Sequence, residues 1–138
     1  MSTRLREKEE RIEQLLQRLA EESAKGTPII VEGRKDAEAL RTLGMEGSII
    51  TVKTAGKSRL DVFSEIERTG AKEVILLLDF DRRGREWMRH LREHLEKTRT
   101  KANAAFRAEL FKFAGRELKD IEGLVSYMET LKSRTTNS

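Results

Sequence analysis

The chain has no cysteine among its 138 residues, and only one proline, one tryptophan, one tyrosine and two histidines. Without cysteine there is no disulfide framework and no thiolate metal site, which suits a reducing compartment. No apolar run approaches the roughly 20 residues of a membrane span. The amino-terminal Met1-Ser2-Thr3-Arg4-Leu5-Arg6 also lacks the hydrophobic segment of a secretory signal, so the expected location is the cytoplasm, with no membrane partner. The lone tyrosine, Tyr127, sits on an amphipathic stretch near the carboxyl end, a poor place for a covalent link to DNA. His90 and His94 share a helical face with Glu86 and mimic part of a zinc site. No third strong ligand is evident, so they read as surface residues.

Hydrophobic residues make up 37% and charged residues 38% of the chain, and the apolar ones are gathered into short runs, the balance of a soluble single domain. Residues 1–26 read as an amphipathic helix, 27–132 as the main domain and 133–138 as a flexible polar tail. In the first segment Leu5, Ile12 and Leu19 recur every seven residues beside Leu15 and Leu16. That stripe could dock on the domain or pair with a second copy or another protein. Docking is favoured because the repeat is brief and Lys8 interrupts it.

From Pro28 onward strands and helices alternate. Strands are expected from Pro28 to Glu32, Ser48 to Lys53 and Glu73 to Asp79, with a fourth at Ala104 to Phe106. Helices are expected over about Lys35 to Leu43, over a segment capped by Ser58 and Asp61 with Leu60, Phe63 and Ile66 inward, over Arg83 to Lys97, over Glu109 to Ala114 and over Asp120 to Lys132. This order predicts an α/β fold: a mostly parallel four-stranded sheet, helices on both faces, and the amino-terminal helix added.

Two of the strands end in acid. Ile29-Ile30-Val31-Glu32-Gly33 and Leu76-Leu77-Leu78-Asp79-Phe80-Asp81 are apolar runs closed by carboxylates, and an α/β sheet keeps its chemistry at such carboxyl ends. If the two strands are neighbours, Glu32, Asp79 and Asp81 converge, and their mutual repulsion calls for a divalent cation or a proton. Asp79 and Asp81 could instead simply cap the loop and the next helix. Glu32 has no such capping duty and favours metal binding or proton transfer. Although the net charge is only +4, bases crowd these acids: Arg34, Lys35, Lys57, Arg82, Arg83 and Arg85, a rim suited to phosphate. Gly33 and Gly84 read as tight turns, the latter leaving helix-start amides open to an anion.

Ile30-Val31-Glu32-Gly33-Arg34-Lys35-Asp36 and Leu78-Asp79-Phe80-Asp81-Arg82-Arg83-Gly84 together resemble the Toprim domain, shared by primases, topoisomerases, overcoming-lysogenization-defect nucleases, recombination-repair proteins and ribosomal-RNA maturation nucleases. The resemblance runs from about Thr27 to Val125 and is nearest to small stand-alone Toprim proteins. It implies that Glu32 takes part in proton transfer and metal binding, that Asp79 and Asp81 ligate Mg²⁺ or Mn²⁺, and that the partner is RNA or DNA. Arg83 and Arg85 stand where topoisomerase versions carry further acids, and no gate domain, zinc-binding module or helicase-docking module accompanies the motifs. The resemblance therefore implies an Mg²⁺-dependent enzyme acting on phosphodiester bonds, a nuclease or RNA/DNA processing factor. The alternatives are a non-catalytic, metal-dependent nucleic-acid-binding module within a larger complex and, ranked lower, a primase-like nucleotidyltransferase.

Overall fold

Every side chain of the first strand is buried, which requires cover on both faces of the sheet. The computed structural model describes residues 3–136 and supplies that cover. The elements run α1 (Thr3–Ala24), β1 (Ile29–Val31), α2 (Arg34–Thr42), β2 (Ile49–Thr51), α3 (Arg59–Arg68), β3 (Glu73–Leu76), α4 (Arg82–Lys97), β4 (Lys101–Asn103), α5 (Ala105–Ala114) and α6 (Leu124–Thr136). The four strands form one all-parallel sheet in the order β2-β1-β3-β4, with Ile30 beside Ile50 on one side and Leu76 on the other. Because successive strand residues point to opposite faces, the two cores separate by parity. Ile29, Val31, Ile75 and Leu77 pack with α1, α2, α5 and α6, whereas Ile30, Val74, Leu76 and Leu78 pack with α3 and α4.

The chain leaves β1 towards one edge and, after β2, returns to β1's other side as β3. The sheet thus reverses direction at the β1/β3 boundary, which opens a crevice at the carboxyl ends of these two strands.

Helix α1 is docked, as the interrupted heptad favoured. Ile12, Leu15 and Leu19 are almost wholly buried against α5 and α6, and Lys8 pairs with Glu117 at 3.1 Å. Its apolar stripe is spent inside the molecule, so pairing two copies through that stripe would require unpacking the core.

Several expected boundaries move, each for a local reason. The fourth strand lies at Lys101–Asn103 rather than Ala104 to Phe106: Arg99 turns the chain at φ 58°, Lys101 N donates to Lys72 O, and the ladder pairs Glu73 with Lys101. Helix α5 accordingly begins at Ala105, whose amide donates to the Asn103 side chain. The last helix starts at Leu124, not Asp120, because the preceding amides are used elsewhere. Those of Ile121, Glu122 and Gly123 donate to the carboxylates of Asp79, Asp36 and Asp120. Ser133 to Thr136, expected to belong to a polar tail, continue α6, and the nearly buried Thr135 hydroxyl donates to Glu9 at 2.9 Å; Asn137 and Ser138 lie outside the described residues. Leu60 is 75% exposed; Val62 and Ile66, one helical turn apart, carry the burial of α3.

If α1 belongs to the core, Leu15→Ala should cost about 2–5 kcal/mol of unfolding free energy by urea denaturation. A loss below about 1 kcal/mol would place the helix outside the cooperative unit.

Candidate metal centre

Glu32 is the first residue past β1, and Asp79 lies on the extended segment that follows β3, so the topology itself puts both in the β1/β3 crevice. One oxygen each from Glu32, Asp79 and Asp81 lies within 4.8 Å of the others. Glu32 and Asp79 are buried, at 6% and 8% exposure, while Asp81 faces solvent. Oxygens held about 2.1 Å from a magnesium ion lie roughly 3–4 Å apart, so small side-chain adjustments would close this set around one hard cation. Glu32 Oε1 is buried without a hydrogen-bond donor, an arrangement that costs free energy unless a cation or proton reaches it. The donor set therefore fits a divalent metal. Burial first, then the hydrogen bond and charge of neighbouring Glu32, push the Asp79 carboxyl up to about 8.

Asp81 takes the capping duty that the sequence left open and lies in the acidic group as well. Its Oδ1 caps α4 by accepting from Gly84 N at 2.8 Å, and the carboxylate also belongs to the acidic trio. That cap corrects one expectation about Gly84, whose amide is taken and is not open to an anion. The residue serves by lacking a side chain, since a Cβ there would lie 1.8 Å from the Asp79 carbonyl oxygen. Gly33 makes no such demand. Its φ of −138° is ordinary extended backbone, and a Cβ would meet nothing closer than 3.8 Å.

Two residues the sequence reading passed over hold the site in place. Beyond Leu76 the ladder ends, and the guanidinium of Arg107 stands in for a neighbouring strand: Nε donates to Leu78 O at 2.7 Å and Nη2 to Asp79 O at 2.6 Å. The arginine thus satisfies carbonyls that β4, ending at Asn103, leaves unpaired. Buried Asp36 accepts from Gly33 N at 2.9 Å and from Glu122 N at 2.8 Å, tying the turn after β1 to the loop before α6. Burial raises the Asp36 carboxyl, partly offset by those two amides. The same loop receives Phe80 N on Lys119 O and gives Ile121 N to Asp79 Oδ1, so the late Lys119-Asp120-Ile121-Glu122 segment is part of the site wall. Asp36 had a signal in sequence, as an acid three residues past a helix-start glycine; Arg107 had none.

The basic residues separate. Arg83 lines a hollow of about 480 Å³ with Glu32, Lys53 and Trp87. Lys57 lines it too, but its ammonium is committed to Thr51 O at 2.6 Å and Glu65 at 2.5 Å. Arg34 and Arg82 form exposed pairs with Glu38 and Glu86, one helical turn along, and Lys35 is exposed on α2. Arg85 donates to Phe80 O at 3.0 Å on the far side of the acidic loop. His94 bonds Glu67 and stacks on Phe63 with ring centroids 3.9 Å apart, and among the described residues no other set of three ligating side chains gathers as the acidic trio does.

The Toprim domain model matches residues 27–113, from just before β1 almost to the end of α5. The chain belongs to the Toprim domain family. This Toprim chain is 41% identical over 105 residues to a UPF0292 protein of Methanocaldococcus jannaschii, covering 76% of this chain and 80% of that one. It is 39% identical over 131 residues to a UPF0292 protein of Methanosarcina acetivorans, covering 94% and 88%. Among solved structures, a putative protein from Aquifex aeolicus superposes with a TM-score of 0.66 at 28% identity, over 79% of this chain and 94% of that one. The Toprim match includes all three acids and Arg107, and leaves α1 and α6 outside.

The two glycines should behave differently. Gly84→Ala should destabilise by about 1–3 kcal/mol or more through overpacking against Asp79, and Gly33→Ala by less than about 1 kcal/mol, in parallel denaturation curves. Equal effects would contradict the packing described. The folded Asp79 binds its proton more tightly than the unfolded chain does, at about 8 against about 3.9. Its contribution to the stability of metal-free protein is therefore full below about pH 4 and is lost as pH rises through about 8. Asp79→Asn should melt above wild type at pH 8 in chelator and show a flatter pH profile; a wild type whose melting temperature rises across that window while the variant's falls would refute the assignment.

Proposed function

We propose that this protein is a Mg²⁺-dependent enzyme acting on phosphodiester bonds of RNA or DNA, a nuclease or nucleic-acid processing factor. The observation that carries the proposal is the convergence of Glu32, Asp79 and Asp81 within 4.8 Å around a buried carboxylate oxygen that lacks a donor. A module that only bound phosphate would be better served without three negative charges at its centre.

Glu32, Asp79 and Asp81 would hold the ion, with Mn²⁺ an acceptable substitute. When bound, it supplies Lewis acidity and neutralises charge on the phosphodiester. The protein's own part is positioning. Arg83 and Lys53, on the rim of the 480 Å³ hollow, face a phosphate that reaches Glu32. Glu32 Oε1, unengaged by any donor, is the atom that accepts a proton from the attacking nucleophile. Asp36 and Arg107 are positioning residues, fixing the backbone on which Glu32 and Asp79 sit. The bonds that hold Lys57 to Thr51 and Glu65 cast it as a strut of the hollow. No helix among the described residues is long and apolar enough to cross a membrane.

Purified protein with Mg²⁺ or Mn²⁺ and end-labelled single- and double-stranded RNA and DNA should cleave at least one substrate, and Glu32→Gln or Asp79→Asn should lower the rate by about 10² or more. Binding without turnover on every substrate would instead support the non-catalytic module.

A further inference from the structure

Arg85, Arg89 and Arg92 recur on one face of α4, across about 10 Å of helix, and Arg107 of α5 closes the opposite wall of a hollow of about 410 Å³. Glu93 and Glu96 are the acids on its lining. None of these four arginines forms an ion pair with a carboxylate within 4.0 Å among the described residues, unlike Arg18, Arg34 and Arg82. Arg85 and Arg107 instead donate to the backbone carbonyls of the acidic loop. The positive charges are close enough that Arg85 and Arg92, after burial, depress the Arg107 guanidinium against the opposing pull of Asp79 and Asp81. Four cations gathered without carboxylate partners form a field that a polyanion relieves.

A second, independent feature adjoins the first. The Phe80 ring, between Asp79 and Asp81, lies 5.3 Å beneath the Arg107 guanidinium and 5.1 Å from the ring of Phe111. Phe111, one turn beyond Arg107 on α5, is 47% exposed, and with Leu60 it is one of two large apolar side chains so exposed among the described residues; it lines not the α4/α5 hollow itself but a neighbouring one, with Arg4, Lys8 and Arg11 of α1. An exposed aromatic face next to an arginine cluster is the combination that holds an unpaired base and its phosphates; a duplex keeps its base faces stacked internally. We infer that the hollow between α4 and α5 is a track for single-stranded nucleic acid, with Arg89 and Arg92 on the phosphates, Arg85 and Arg107 adding positive charge from its wall, and the adjoining Phe111 under a base, leading across Phe80 into the acidic centre. The inference rests on the phosphodiester reading and specifies the form of its substrate.

The test is fluorescence anisotropy in chelator with labelled single-stranded RNA, single-stranded DNA and hairpin duplexes of matched composition, so that binding is read apart from turnover. Wild type should prefer single strands, the two sugars being told apart by their separate arms. Arg89→Ala/Arg92→Ala should weaken single-strand binding by about tenfold or more and reduce the salt slope by about 1.4. Phe111→Ala should weaken single-strand binding at least about fivefold and leave duplex binding unchanged. Circular dichroism and Mn²⁺ affinity should match wild type in both variants, showing that fold and metal centre are intact. Variants that bind single strands as wild type does would overturn the track while leaving the metal centre standing. Equal effects of Phe111→Ala on hairpins and single strands would overturn the single-strand assignment. Loss of turnover in Glu32→Gln with binding retained bears only on the earlier proposal.

Discussion

The architecture depends on an electrostatic conflict held in place by backbone. Two carboxylates, Glu32 and Asp79, are buried side by side at the carboxyl ends of neighbouring parallel strands, and a third, Asp81, closes the group from solvent. Burial and the neighbouring carboxylate raise the affinity of Asp79 for a proton. The raised Asp79 carboxyl and the donorless Glu32 oxygen are two faces of that single constraint. With the Asp79 carboxyl raised, ionising it in the metal-free fold opposes stability, so stability does not account for the arrangement.

What holds the acids together is topology and side-chain bonds to backbone. The β1/β3 switch point brings the strand ends side by side, Arg107 pins the carbonyls of Leu78 and Asp79 where no strand is available, and Asp36 ties the turn after β1 to the Glu122 amide. Gly84 lets the first turn of α4 press onto the Asp79 carbonyl, while the Asp81 cap fixes where that helix begins. The Arg107 and Asp36 contacts join segments distant in sequence, and those of Gly84 and Asp81 are local. Helices α1 and α6, outside the Toprim match, pack the outer layer over β1 and β3 and bring the Lys119 to Glu122 loop against the site. They extend the domain's core; they are not an appendage.

Much of this was legible in the sequence because it is written in local patterns. Apolar runs ending in acid mark buried parallel strands and their functional ends, and the Ser58/Asp61 capping pair appears as expected, with Asp61 N on Ser58 Oγ at 3.1 Å. What was not legible depends on tertiary contacts. Lys101 to Asn103 has no strongly apolar signature and is a strand because an edge of β3 needed a partner. Asp120 to Gly123 reads as helix, but its amides are claimed by Asp79, Asp36 and Asp120. Lys57 reads as a phosphate contact, and only the fold shows its ammonium already held. Arg107 has no motif at all; its role follows from ladder groups left unpaired where β4 ends.

The most direct measurement is calorimetric titration of Mg²⁺ and Mn²⁺ at pH 7 in buffers of different ionisation enthalpy, which counts ions bound and protons released. If Glu32, Asp79 and Asp81 form one centre whose proton must leave for the cation to enter, the protein binds a single ion and releases about one proton per ion. Absence of binding, or binding of one ion with no proton released, would contradict the account.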